Sequence, residues 1–211
     1  MRPIPELGVA AVVLAGCGAL LGPPVRAKTH GYRAHVTLVE DGVAKEAFEL
    51  AVRGDLMRRD PAEGAAGPTL ILDEKAKTAF RLDPARRTCA EAPFEEARRS
   101  FLPGYPLLPG WSDAAEAQRL GITRYRREGD EVFAGNVCAL WRFEDRPDAA
   151  ISPATTFWQA PALDGLVIRV DREEPRADGR WSRRSVEMTN VRVLAEPDLF
   201  LVPKGWRRVP P

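Results

Sequence analysis

The stretch Thr155–Val170, TTFWQAPALDGLVIRV, decides the fold class. Its two apolar runs, Thr155–Ala160 and Leu166–Val170, are rich in β-branched and aromatic residues, and Pro161 and the Asp164-Gly165 pair interrupt them. That pattern reads as two adjacent antiparallel strands rather than a helix. Most of the long segments on either side read the same way, so the expected class is mainly β.

The bulk numbers fit one domain. The chain has 211 residues, of which 45% are apolar and 29% charged, enough for a core under an ordinary surface. A formal net charge of +1 argues against a nucleic-acid partner, which normally meets a basic excess on one face. The many arginines are interspersed with acids, as in Arg142, Glu144, Asp145 and Arg146, and read as a solvated mixed-charge surface.

Met1–Ala27 is a different kind of segment. Arg2 precedes Leu7–Leu21, a run almost wholly of Gly, Ala, Val and Leu, too short to span a bilayer and too apolar for an exposed terminus. It reads as a signal peptide. Two ends are open. Leu14-Ala15-Gly16-Cys17 matches a lipobox, which would remove 1–16, lipidate Cys17 and leave 17–27 as a tether. Val25-Arg26-Ala27 fits ordinary cleavage after residue 27. Beyond Cys17 the chain holds Cys89 and Cys138, an even pair that an oxidising compartment would join as a disulfide.

Residues 28–211 then read as one β domain carrying a helical insert. Tyr32, Ala34, Val36 and Leu38 alternate with polar residues, and Asp41-Gly42 signals a hairpin into Val43–Val52. The helix propensity of Ala44–Ala47 competes with that strand, and Phe48, Leu50 and Val52 argue for it. Leu56–Arg59, Thr69–Asp73 and Lys77–Asp83 continue the meander. At 93–120 the character changes. Pro93–Leu102 has a leading proline, early glutamates, late arginines and a Pro103-Gly104 stop, the signals of a short helix. Tyr105–Trp111 follows as an apolar loop, and a second helix is expected from an Asp113 cap. Short strands at Ile122–Arg127 and Glu131–Ala134, then Val137–Phe143, resume the sheet. Trp181–Leu194 completes it, with Pro197–Trp206 as an apolar tail.

No catalytic constellation stands out. His30 and His35 are the only histidines, no acidic pair has metal-site spacing, and no serine sits in a nucleophile elbow. The expectation is a non-enzyme without cofactor or metal. The aromatic strand positions read either as core or as the lining of an apolar cavity beneath the insert.

Several pieces carry a resemblance. They are Arg53–Arg58 (RGDLMR), Leu70–Leu82 (LILDEKAKTAFRL), Phe133–Phe143 (FAGNVCALWRF), Thr156–Ala160 (TFWQA) and Phe200–Trp206 (FLVPKGW). Together with an exported meander and a helical insert, they resemble the LolA-like half-barrel superfamily of bacterial envelope proteins, in an uncharacterised branch of it. The resemblance implies a curved antiparallel half-barrel with short helices over its concave face, in the periplasm or anchored to the outer membrane. It implies an apolar cavity for a lipid or acylated ligand, extending to lipid or lipoprotein carriage, with an envelope protein as a further partner. Membrane contact would come only through a lipidated Cys17. In the lipoprotein carriers an arginine on a strand bordering the cavity matters for handing cargo over, and Arg58 and Arg59 are the candidates here. The expected lining is Val36, Leu38, Phe48, Leu50, Phe80, Trp141, Phe143 and Trp158, covered by Phe94, Phe101, Leu107 and Leu108. The competing reading is a structural or adaptor domain of the envelope in which the same residues are packed core.

Overall fold

A computed structural model describes residues 31–101, 126–144 and 152–210. The leader with Cys17, His30, the loop bearing Leu107 and Leu108, and the helix expected from Asp113 lie outside the described residues. The strands are β1 (Tyr32–Glu40), β2 (Val43–Arg53), β3 (Leu56–Pro61), β4 (Thr69–Asp73), β5 (Thr78–Asp83) and β6 (Thr88–Glu91). After helix α1 (Phe94–Phe101) come β7 (Arg126–Phe133), β8 (Asn136–Glu144), β9 (Ala154–Ala160), β10 (Leu166–Pro175), β11 (Trp181–Arg192) and β12 (Arg207–Arg208).

All twelve strands form one sheet in the order β12-β6-β5-β4-β3-β2-β1-β11-β10-β9-β8-β7. It is curved and open rather than closed into a barrel, so the expected fold class is the observed one. Neighbours are antiparallel except β12, which lies parallel to β6. Thr155–Val170 folds into β9 and the start of β10, joined by a 3-10 turn at Pro161–Leu163 and a left-handed Asp164 (φ 56°). At Asp41 and Gly42, φ values of 51° and 79° match the turn that a two-residue hairpin requires. That turn, with pairing to β1, holds Ala44–Ala47 in a strand against its helical propensity.

Three elements differ from expectation. Strand β7 runs unbroken through Gly129, because a bulge between Arg127 and Gly129 absorbs the break that the sequence suggests. Strands β6 and β12 were not expected, being short and without apolar alternation.

The main apolar cluster takes the alternate positions Tyr32, Ala34, Val36 and Leu38 of β1 and Phe48, Leu50 and Val52 of β2, together with Ala97 and Phe101 of α1. On β2 to β6 the opposite positions are covered by the C-terminal tail. Phe200 packs on Ala51 and Ala195, while Val202 and Trp206 pack on Ile71, Leu82 and Cys89.

Candidate functional site

Helix α1 lies on the main cluster because its sequence is amphipathic. Ala97 and Phe101 fall on one face and are buried, whereas Glu95, Glu96, Arg98 and Arg99 face solvent. Eight residues hold little helical stability of their own, so the helix depends on what grips it.

Two grips are present. At the near end, the β4–β5 turn supplies Glu74, which accepts from Arg98 Nε at 2.8 Å, and Lys77, whose ammonium stands 4.8 Å over the Phe94 ring. At the far end, Arg59 rises from β3 between its partners Leu50 and Leu70. Its Nη1 donates to the carbonyl oxygens of Ser100 at 2.6 Å and Phe101 at 2.7 Å, the unsatisfied acceptors of the helix C-terminus. Its Nη2 donates to Glu46, and its guanidinium stacks 4.1 Å from the Phe48 ring. One side chain thus joins the rim of the apolar cluster to the end of the helix that covers it, with 12% of its surface exposed.

The two candidate arginines therefore separate. Arg58 points the other way, forks onto Asp60 at 2.7 and 2.8 Å and donates to the Leu199 carbonyl at 2.8 Å, fixing the tail. Strand alternation is the signal that divides them: Arg59 sits opposite Leu50, and Arg58 opposite Ala51.

The expected lining also divides. Val36, Leu38, Phe48, Leu50, Phe101 and Trp158 join one cluster, and Phe94 packs against it. Two residues are corrections. Phe80 sits opposite Ile71 and joins the tail cluster, because in β5 it is Ala79 that faces the core. Trp141 sits opposite Phe157 and belongs to a separate cluster with Val167 and Val170, while its neighbour Leu140 packs against the main one. Phe143 pairs with Thr155 in the backbone, and its side chain is outside the description. The expected disulfide is likewise corrected. Cys89 and Cys138 are both free and buried, Cys89 under the tail and Cys138 in the main cluster, on strands near opposite ends of the sheet order. Burial pushes the Cys138 thiol above its usual range.

Trp158 was expected only as lining, yet it has polar surroundings. The Arg169 guanidinium stands 4.6 Å from its ring and 5.2 Å from that of Phe133. Burial works against that cation, but Asp171, bonded at 2.9 and 3.0 Å, and nearby Glu187 outweigh it and hold its pKa above the ordinary value. The indole Nε1 of Trp158 is buried without a hydrogen-bond partner among the described residues. Among the described residues no cluster of His, Cys, Asp or Glu could hold a metal ion, and no helix is long and apolar enough to cross a membrane.

No family model and no curated protein matches the chain. Among solved structures, an uncharacterized conserved protein of Thermus thermophilus aligns over 87% of this chain and 92% of its own, at 13% identity and a TM-score of 0.46. Lipoprotein LppX of Mycobacterium tuberculosis aligns over 80% of this chain and 90% of its own, at 11% identity and a TM-score of 0.44. A LolA superfamily protein of Nitrosomonas europaea aligns over 82% and 90%, at 9% identity and a TM-score of 0.31. At identities of 9 to 13% and TM-scores below 0.5, these likenesses assign neither a family nor a function.

Proposed function

We propose that the chain is an exported bacterial envelope protein that holds a lipid or acylated ligand between its sheet and helix α1. The observation that carries this reading is the Arg59 latch. Phe101 of α1 shares one apolar cluster with Val36, Leu38, Phe48 and Leu50, and among the described residues Arg59 holds the last two carbonyls of that helix by two reversible hydrogen bonds. Releasing Arg59 from Ser100 and Phe101 would let Phe101 lift and open apolar surface to an acyl chain. Burial of that chain contributes about 0.8 kcal/mol per methylene. Neither a cofactor nor a catalytic group is needed. In this reading Cys17 anchors the protein when lipidated, and transfer to an envelope partner follows opening of the helix.

A second reading has its own observation. Val36, Leu38, Phe48 and Leu50 are only 0 to 1% exposed, as in permanently packed core. They would then serve a structural or adaptor domain with no ligand. Solvent extraction of the full chain purified from its own membrane fraction, followed by lipid mass spectrometry, separates the two. Lipid in fixed ratio to protein supports the carrier. Its absence from native and refolded, lipid-challenged protein alike supports the adaptor.

A further inference from the structure

Most arginines elsewhere in the described structure have an acidic partner. Arg142 reaches Glu173, Arg172 reaches Glu174, Arg176 reaches Asp41, and Arg169 reaches Asp171. The sheet edge at β6 and β12 breaks that rule. Residues 78–91 and 202–210 bring together six arginines and lysines against two carboxylates, in a chain whose net charge is only +1. The β12 pair Arg207 and Arg208 lies in register with Thr88 and Cys89, and Arg207 N donates to the Arg87 carbonyl at 3.0 Å. Of the six cations, only Arg86 has an acidic partner among the described residues, Asp83 at 3.8 Å. Arg81, Arg87, Lys204, Arg207 and Arg208 are all exposed.

Beside this row runs a half-open groove of about 890 Å³, with Arg81 on its wall. Much of its lining is apolar, from Pro61, Pro68, Pro84, Val209 and Pro210. Its two acids do not offset Arg81: Asp60 is neutralised by Arg58, and Asp83 is engaged by Arg86. Trp206, half-buried, stands between Lys204 and Arg207 on the same edge. A charged row alone would serve to keep another strand from pairing with the edge. That role needs no excess of one sign and no apolar groove beside it. Unpaired cations repel one another, and a plane of phosphates relieves that repulsion. An apolar trough with an adjacent tryptophan suits the boundary between headgroups and acyl chains.

We propose that the β6–β12 edge docks the protein on an anionic phospholipid surface, with Arg81, Arg87, Arg207 and Arg208 against phosphates and the groove at the headgroup boundary. The inference stands apart from the Arg59 latch and from whether the space under α1 takes a ligand.

The test is flotation of the full chain with vesicles of phosphatidylcholine alone and of phosphatidylcholine mixed equally with phosphatidylglycerol. An acyl anchor or apolar leader inserts into both, so the difference between them is the readout. The inference expects tighter binding to the anionic vesicles, weakened by salt. It expects a loss on the order of a hundredfold in the variant Arg81→Gln/Arg207→Gln/Arg208→Gln. Arg208→Gln alone should cost about fivefold, which keeps the test valid should the triple variant misfold. Arg126→Glu/Arg127→Glu at the far edge should change nothing. Equal binding to the two vesicles overturns the inference. So does an undiminished preference in a folded variant, or equally tight binding to soluble polyphosphate, which would mark a general polyanion site.

Discussion

Arg59 donates to the carbonyl oxygen of Phe101 at 2.7 Å while its guanidinium rests 4.1 Å from the Phe48 ring, so the last turn of the helix and the apolar face beneath it share one side chain. Hydrogen bonds to a charged donor contribute about 1.5–3 kcal/mol each when buried, and less here because the group is partly exposed. Arg59→Leu should therefore lower the opening free energy of α1 by about 2 kcal/mol. Hydrogen exchange of the 97–101 amides should rise about thirtyfold while that of β1 stays put. Unchanged exchange in the helix would show that Arg59 does not hold it.

The hairpin tip at Asp41 predicts a pH dependence. The Arg183 backbone N–H, at 2.9 Å, is the largest influence on this carboxyl, and with Arg176 it outweighs desolvation and holds the pKa below the ordinary 3.8. A carboxyl depressed on folding adds stability above its unfolded pKa and loses it as pH falls through the folded one. Asp41→Asn should thus lower the melting temperature near neutral pH, and the gap from the parent should close in strongly acid buffer. A gap that persists undiminished at low pH would contradict the pairing.

Two buried tryptophans should respond differently to loss of their N–H. Trp141 Nε1 donates to Gln159 Oε1 at 3.0 Å, so Trp141→Phe leaves a buried acceptor unpaired and should cost about 2 kcal/mol beyond lost packing. Trp158 Nε1 has no partner among the described residues, so Trp158→Phe should cost at least about 1 kcal/mol less than Trp141→Phe. Denaturant unfolding of both variants checks the order, and a larger loss at Trp158 would reverse it.

Alkylation of the unfolded, unreduced protein should label both Cys89 and Cys138, as their separate clusters require. A peptide pair joined through these residues would contradict the arrangement.

Hairpins, the α1 boundaries and the strand character of Thr155–Val170 were legible because turn residues and apolar alternation are local signals. Which face each residue takes was less so. Phe80 and Ala79 are both apolar, and only the register against Ile71 and Leu72 separates them. The same ambiguity placed Trp141 with the main cluster. Cysteine parity suggested a bond, but pairing also depends on which strands adjoin, and the sheet order sets β6 and β8 far apart. Arg59 was legible as a candidate through the resemblance. Its grip on Ser100 and Phe101 spans 41 and 42 residues, a contact that no local pattern encodes.

The central claim, that α1 opens to admit an acyl chain, is tested most directly by uptake of a fluorescent fatty acid in parent and Arg59→Leu protein, and in a third form with Phe101→Cys and Leu50→Cys introduced together to lock the helix down. The account predicts saturable uptake by the parent, faster uptake when the latch is removed, and none in the oxidised, locked protein until it is reduced. Uptake indifferent to both the latch and the lock, or absent from every form, would contradict it.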